Sequence, residues 1–185
     1  MRAKHVLPFA GKDLGLSLEP VAIDEEGGLH RKIAFIGIAD RGFQEFHDRW
    51  RGYCRALTAA GIEPDPRLQV DADPSEQAGL DAIDELRRRK VEFDAIFAAC
   101  DVAGIGAMHA LQRLGRAIPG EVAIVGFDDI PAAKLASPPL STVRQDPHTA
   151  GETLIEAAVE AVELGNARNQ LLPVQLVVRE SSRPA

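Results

Sequence analysis

Cysteine is scarce in this chain. The two thiols, Cys54 and Cys100, lie far apart and lack metal-ligand spacing. That pattern excludes a disulfide framework and a cysteine-based metal site, and it fits two buried thiols in a reducing cytoplasm. Long apolar runs are missing as well. No stretch of about 18 or more uncharged apolar residues occurs, so no membrane-spanning helix is read. No long apolar segment follows Met1-Arg2-Ala3-Lys4-His5, so no signal peptide is read either and a cytoplasmic location is expected. Basic charge is also in deficit. Lys and Arg number 21 against 28 Asp and Glu, for a net charge of -7. Strong nucleic-acid binding needs clustered Lys and Arg to neutralise phosphates, so direct DNA binding by this chain is not expected. The one basic cluster, Arg87-Arg88-Arg89-Lys90, ends a predicted helix and complements its dipole there.

Catalytic signatures are equally thin. There is no Gly-x-Ser-x-Gly elbow and no Walker loop. Gly104-Ile105-Gly106-Ala107-Met108-His109 has two glycines of a dinucleotide fingerprint, but His109 takes the third position. The segment also falls inside a helix already begun, so small residues packing that helix close to the sheet are the better account. His5, His30, His47, His109 and His148 are scattered, with no pair at metal-ligand spacing. Asp128 and Asp129 are adjacent, point in different directions and make no facing acid/base dyad. No metal, cofactor or enzymatic chemistry is expected.

What the chain does have is an alternation of strands and helices. At 185 residues, with 45% hydrophobic and 26% charged content, it suits one well-buried globular domain. Ile33-Ala34-Phe35-Ile36-Gly37 reads as a buried strand. Phe43, Phe46, Trp50, Tyr53, Cys54 and Leu57 then recur at helical spacing, which predicts a helix from Phe43 to Ala60 stopped by Gly61, with Trp50 in the core. Leu68-Gln69-Val70 is a short strand. Asp73-Pro74-Ser75-Glu76 predicts a helix with Asp73 as N-cap. Strands are expected at Phe93–Ala99, Val122–Phe127, Leu140–Val143 and Leu172–Val178. A helix from Asp101 to Leu114 ends at Gly115, and another runs from Asp146-Pro147 to Gly165. The alternation predicts an α/β fold with a doubly wound, mostly parallel sheet. Residues 1 to 30 read as an irregular arm with one short strand near Val21-Ala22-Ile23.

The richest stretch is Glu121-Val122-Ala123-Ile124-Val125-Gly126-Phe127-Asp128-Asp129-Ile130-Pro131. It is an apolar run that ends in a glycine and two carboxylates. In open α/β sheets, ligands sit beyond the carboxyl ends of such strands. Asp128 follows the fourth strand and Asp101 the third. Arg49 lies on the first helix, on the side shared with Tyr53. Carboxylates that accept hydroxyl hydrogen bonds, beside a guanidinium that donates them, suit a polyhydroxyl ligand. Two plain alternatives stand beside this reading: Asp101 as a helix N-cap and Arg49 as a surface charge.

From about Ala22 onward the chain resembles the effector-binding core of the lactose-repressor/galactose-repressor (LacI/GalR) family. The resemblance rests on six ordered blocks: His30–Gly37, Arg49–Leu57, Phe97–Asp101 with Ala103–Gly106, Ile118–Asp129, Leu140–Gln145 and Leu176–Ser181. It implies a periplasmic-binding-protein-like C-terminal subdomain over 31–185, with 1–30 as the remnant of an N-terminal subdomain and its crossover, hence a truncated form. Arg49 and Asp128 match positions that contact the effector, and Asp101 matches a cleft position. Cys100 stands where Asn is common. The family's function implies a small-molecule effector, a sugar or related polar metabolite, a homodimer, and control of a DNA-binding head lying outside this chain. A sugar-binding receptor of a transport system shares the fold and is the alternative.

Overall fold

Buried runs of alternating size make the centre of the molecule. In β1 (Ile33–Ile36) every residue is buried, and the same holds for β3 (Ala95–Ala98). Strands buried on both sides belong to a sheet covered on both faces. The computed structural model describes residues 30–39, 43–165 and 172–183. Apart from His30, the expected arm over 1–30 lies outside the described residues, including its strand near Val21-Ala22-Ile23.

The remaining elements follow in chain order: α1 (Gln44–Ala59), β2 (Gln69–Val70), α2 (Glu76–Arg88), then β3, α3 (Asp101–Arg113), β4 (Ala123–Asp128), α4 (Pro131–Leu135), β5 (Ser141–Gln145), α5 (Pro147–Leu164) and β6 (Val174–Val177). The six strands lie in the order β2-β1-β3-β4-β5-β6. All neighbours pair in parallel except β6, which runs antiparallel to β5, with Val143 opposite Leu176. The doubly wound, mostly parallel sheet expected from the sequence is the observed fold. Its order reverses between β1 and β3, the switch point where such sheets open a crevice at their carboxyl ends.

Successive strand residues point to opposite faces. Ala34, Ile36, Ile96 and Ile124 join Ile83, Leu86, Met108 and Leu111 from α2 and α3. Ile33, Phe35 and Phe97 join Tyr53 and Leu57 from α1. On that face the Phe35 ring stands 5.4 Å from Tyr53 and 5.8 Å from Phe97. Burying one such side chain contributes roughly 1.5–3 kcal/mol relative to exposure. Gly79 and Gly106 let α2 and α3 touch: a Cβ on Gly106 would sit 2.0 Å from the Glu76 carbonyl oxygen. Gly106 therefore serves helix-to-helix contact, whereas Gly104 faces the sheet as expected, near Ala98 and Leu140.

Several boundaries differ from the sequence reading. The cap of α2 is Ser75, whose Oγ accepts from the Ala78 N–H at 3.1 Å, rather than Asp73. Ser75 is the residue with the free hydroxyl one position before the helical turn begins. Phe43 is about half exposed and not part of the α1 core face. Trp50 is only partly buried, with its indole N–H donating to Gln69 Oε1 at 2.8 Å. The five-residue α4 was not foreseen. α5 opens at Asp146-Pro147, as expected, and its N-cap is Asp146, accepting from the His148 N–H at 3.0 Å.

α5 stands apart. None of its residues is buried, and Leu154, Ile155, Val159, Val162 and Leu164 are all exposed. The end of the chain is fastened by serines instead. Ser181 Oγ donates to the Ile124 carbonyl at 2.7 Å and accepts from the Ser141 N–H at 2.8 Å. Among the described residues no helix is long and apolar enough to cross a membrane.

Candidate functional site

The site forms where β3 and β4 end beside α1. Periodicity places Arg49 next to the buried stripe of α1, and its side chain is only 14% exposed. The guanidinium lies over the Phe127 ring at 3.9 Å and near the Phe46 ring at 5.0 Å. Its Nη1 donates to the Ala99 carbonyl at 2.6 Å, just past the end of β3. Its Nη2 faces Asp128 Oδ1 at 3.4 Å, a long contact best described as an ion pair. Gln145, at the end of β5, donates its amide to the same Asp128 oxygen at 2.8 Å.

Burial lowers the affinity of Arg49 for its proton, and the charge of Asp128 opposes that shift. Burial likewise raises the Asp128 carboxyl above its ordinary value, opposed by Arg49 and then by the Gln145 amide. Each ion costs desolvation and is stabilised by the other. The Asp128 side chain is one-third exposed, so it has lone pairs facing outward. With Gln145 beside it, this edge can both accept and donate hydrogen bonds to hydroxyl groups.

Asp129 turns the other way, as adjacency predicted. Its side chain is 4% exposed and is held by Arg144 Nε at 2.6 Å and by Arg179 Nη2. Burial opposes its ionisation, but the hydrogen bonds from Arg179 and Arg144 outweigh that and hold the carboxyl below its ordinary range. Both aspartates have left-handed backbone, with φ of 110° at Asp128 and 55° at Asp129.

Asp101 lies behind this edge. It is fully buried, accepts from the Thr142 hydroxyl at 2.6 Å and accepts from the Ile130 N–H at 2.9 Å. Burial pushes its carboxyl up to about 6 despite those two hydrogen bonds. It is not the N-cap of α3: that position is Cys100, and Asp101 is the first helical residue. Of the three residues singled out from the sequence, the structure brings Arg49 and Asp128 into contact and encloses Asp101 among protein groups.

A separate cavity of about 650 Å³ lies at the opposite, amino-terminal ends of the strands, against Lys32, Arg87, Phe93 and Arg116. Its cations pair with protein carboxylates: Lys32 with Glu92, Arg87 with Asp84, and Arg116 with Glu121. Among the described residues no group of His, Cys, Asp and Glu has the arrangement of a metal site.

Residues 25–182 match the family described as periplasmic binding protein-like domain. The chain belongs to the periplasmic-binding-protein-like family. Its relatives are transcriptional regulators of the LacI/GalR type. The HTH-type transcriptional regulator CelR of Thermobifida fusca is 34% identical over 94% of this chain and 55% of its own length. A solved CelR–cellobiose complex superposes with a TM-score of 0.77 at 34% identity, over 92% of this chain and 57% of the other. The lac repressor dimer bound to operator and the anti-inducer ONPF superposes with a TM-score of 0.76 at 27% identity, over 83% and 53%. The chain thus spans about half the length of the relatives it matches.

Within this periplasmic-binding-protein-like core, three site groups escaped the sequence reading. The sequence marks Phe127 as a strand residue within a family block, yet it supplies the face on which Arg49 rests. Gln145 stands out in the sequence only as the end of a family block. It meets Asp128 because β4 and β5 pair with Asp128 opposite Arg144, and that register is not visible in the sequence. Thr142 joins the Asp101 and Asp129 groups for the same reason.

Proposed function

We propose that the chain is the effector-sensing core of a LacI/GalR-type transcriptional regulator. In this reading it binds a saccharide or related polar metabolite at the carboxyl ends of β3 and β4. Binding then biases a DNA-binding head supplied by the rest of a longer, homodimeric, cytoplasmic protein, through differential affinity for two conformations. Residues 31–185 are the effector-binding subdomain, and 1–30 lead into it from an N-terminal subdomain and crossover. The role is recognition without turnover, and this chain does not itself read DNA.

One observation carries the proposal. A guanidinium lies over the Phe127 ring, tethered to Ala99 and set against a partly exposed carboxylate at the carboxyl ends of β3 and β4. A pair arranged this way offers fixed donors from Arg49 and free acceptor positions on Asp128. Asp101 supports it from behind. The CelR relative, named in complex with cellobiose, favours a saccharide as ligand class. Relatives named as transcriptional regulators favour this reading over a transport receptor.

Calorimetric titration with a panel of mono- and disaccharides that includes cellobiose is the test. At least one sugar should bind saturably, with a roughly millimolar dissociation constant for a chain that contributes one side of the cleft. A panel without any binder, alongside tight binding of a non-polar ligand, would reject the ligand class.

A further inference from the structure

The turn that presents Asp128 is held in backbone that side chains rarely adopt. Asp128 and Asp129 have φ of 110° and 55°, and such residues persist only where the surroundings over-determine them. Here the surroundings can be named. The Asp129 carboxylate is gripped by Arg144 from β5 and by Arg179 from the segment after β6. Arg179 is itself anchored through Nη1 to the Leu140 carbonyl at 2.6 Å. The Asp129 N–H donates to Thr142 Oγ1 at 3.3 Å. The Asp129 carboxylate is nearly enclosed, while that of Asp128 is one-third exposed.

We propose that Asp129, clasped by Arg144 and Arg179, is a positioning residue. It fixes the left-handed turn that keeps Asp128 against Arg49, and it does so without touching the ligand. The ligand part of this statement rests on the functional reading above. The pinning of Arg49 in the free chain does not.

Two variants test it. Asp129→Asn removes the charge but keeps a residue that tolerates left-handed backbone. Arg144→Gln removes one arm of the clasp from a side chain that is 41% exposed, so it uncovers no core. The readout is side-chain ¹⁵N NMR of Arg49 in the folded, ligand-free chain. In the wild type both Nη groups are engaged, by Ala99 and by Asp128, and should rotate slowly. Asp129→Asn should speed that rotation by about tenfold, the scale of one charge-assisted hydrogen bond, and Arg144→Gln by a smaller factor.

A merely structural role for Asp129 would lower the unfolding midpoint and leave Arg49 rotation in the folded chain unchanged, which would overturn the proposal. If Asp129→Asn does not fold, Arg144→Gln alone decides by the same readout. Cellobiose titration of the same samples separates the two claims. Loosened Arg49 in variants of a chain that binds no sugar upholds the clasp and removes the ligand reading. Unchanged Arg49 in variants of a chain that does bind cellobiose does the reverse.

Discussion

Asp101 should make this protein less stable as pH rises, against the usual behaviour of acidic residues. Its carboxyl is fully buried, with the Thr142 hydroxyl and the Ile130 N–H as its hydrogen-bond partners among the described residues, and burial pushes it up to about 6 from 3.8. The folded state therefore holds a proton that the unfolded state has released. The stabilisation from that proton is complete below about pH 4 and is lost as pH rises through about 6. At about 1.4 kcal/mol per pH unit, the loss amounts to about 3 kcal/mol by pH 8. Neighbouring carboxyls that are held low, such as Asp129, act in the opposite sense, but their contribution is lost only as pH falls below about 4, outside this window. Asp101→Asn isolates it. An amide has the shape of the protonated acid, can donate to Thr142 Oγ1 and can accept from the Ile130 N–H. Urea unfolding of both proteins from pH 4 to pH 8 is the assay. The variant should gain about 3 kcal/mol relative to wild type across that range. A difference between the two proteins that stays flat, or that moves the other way, would refute the buried-proton account.

Other expectations are shorter. Gly126→Ala would place a Cβ 2.2 Å from Asp101 Oδ1 and 3.2 Å from its Cα, so thermal unfolding should show a loss of about 3 kcal/mol or more. Tyr53→Phe removes the buried hydroxyl that donates to the Ile33 carbonyl at 2.8 Å, and urea unfolding should report a cost of about 1–2 kcal/mol. Ile155→Ser with Val159→Ser should leave the sheet's unfolding free energy within about 0.5 kcal/mol per site, because no residue of α5 is buried.

The fold was legible because its signals are periodic. The buried runs at Ile33–Ile36 and Ala123–Val125 cannot be solvated strands, and the stripe ending in Tyr53 and Leu57 can only be a helix face. The helix stops at Gly61, Gly115 and Gly165 were legible too, since each has φ between 66° and 71°. The cap of α2 was misplaced by two residues because Asp73 and Ser75 both have capping side chains, and only backbone geometry chooses between them. At the site, Asp128 was visible as a charge at a strand end, Arg49 as a charge beside the apolar stripe of the first helix, and both within the family resemblance. Asp101 was assigned to the cleft by the same logic, but its neighbours close over it. Gln145, Thr142 and Arg179 depend on which strands pair and in what register, information that lies in long-range contacts and not in local pattern. Nor does the sequence reveal that no residue of α5 is buried among the described residues: its amphipathic spacing reads like that of any packed helix.

The central claim is that Arg49 and Asp128 form the ligand-binding pair, and affinity for cellobiose or the best sugar of the panel, compared between wild type and Asp128→Asn, tests it most directly. Removing one partner of a partly buried charged pair costs roughly 2–5 kcal/mol, so the variant should bind at least some tens of times more weakly while its thermal transition remains near that of the wild type. Equal affinity in the two proteins would contradict the account.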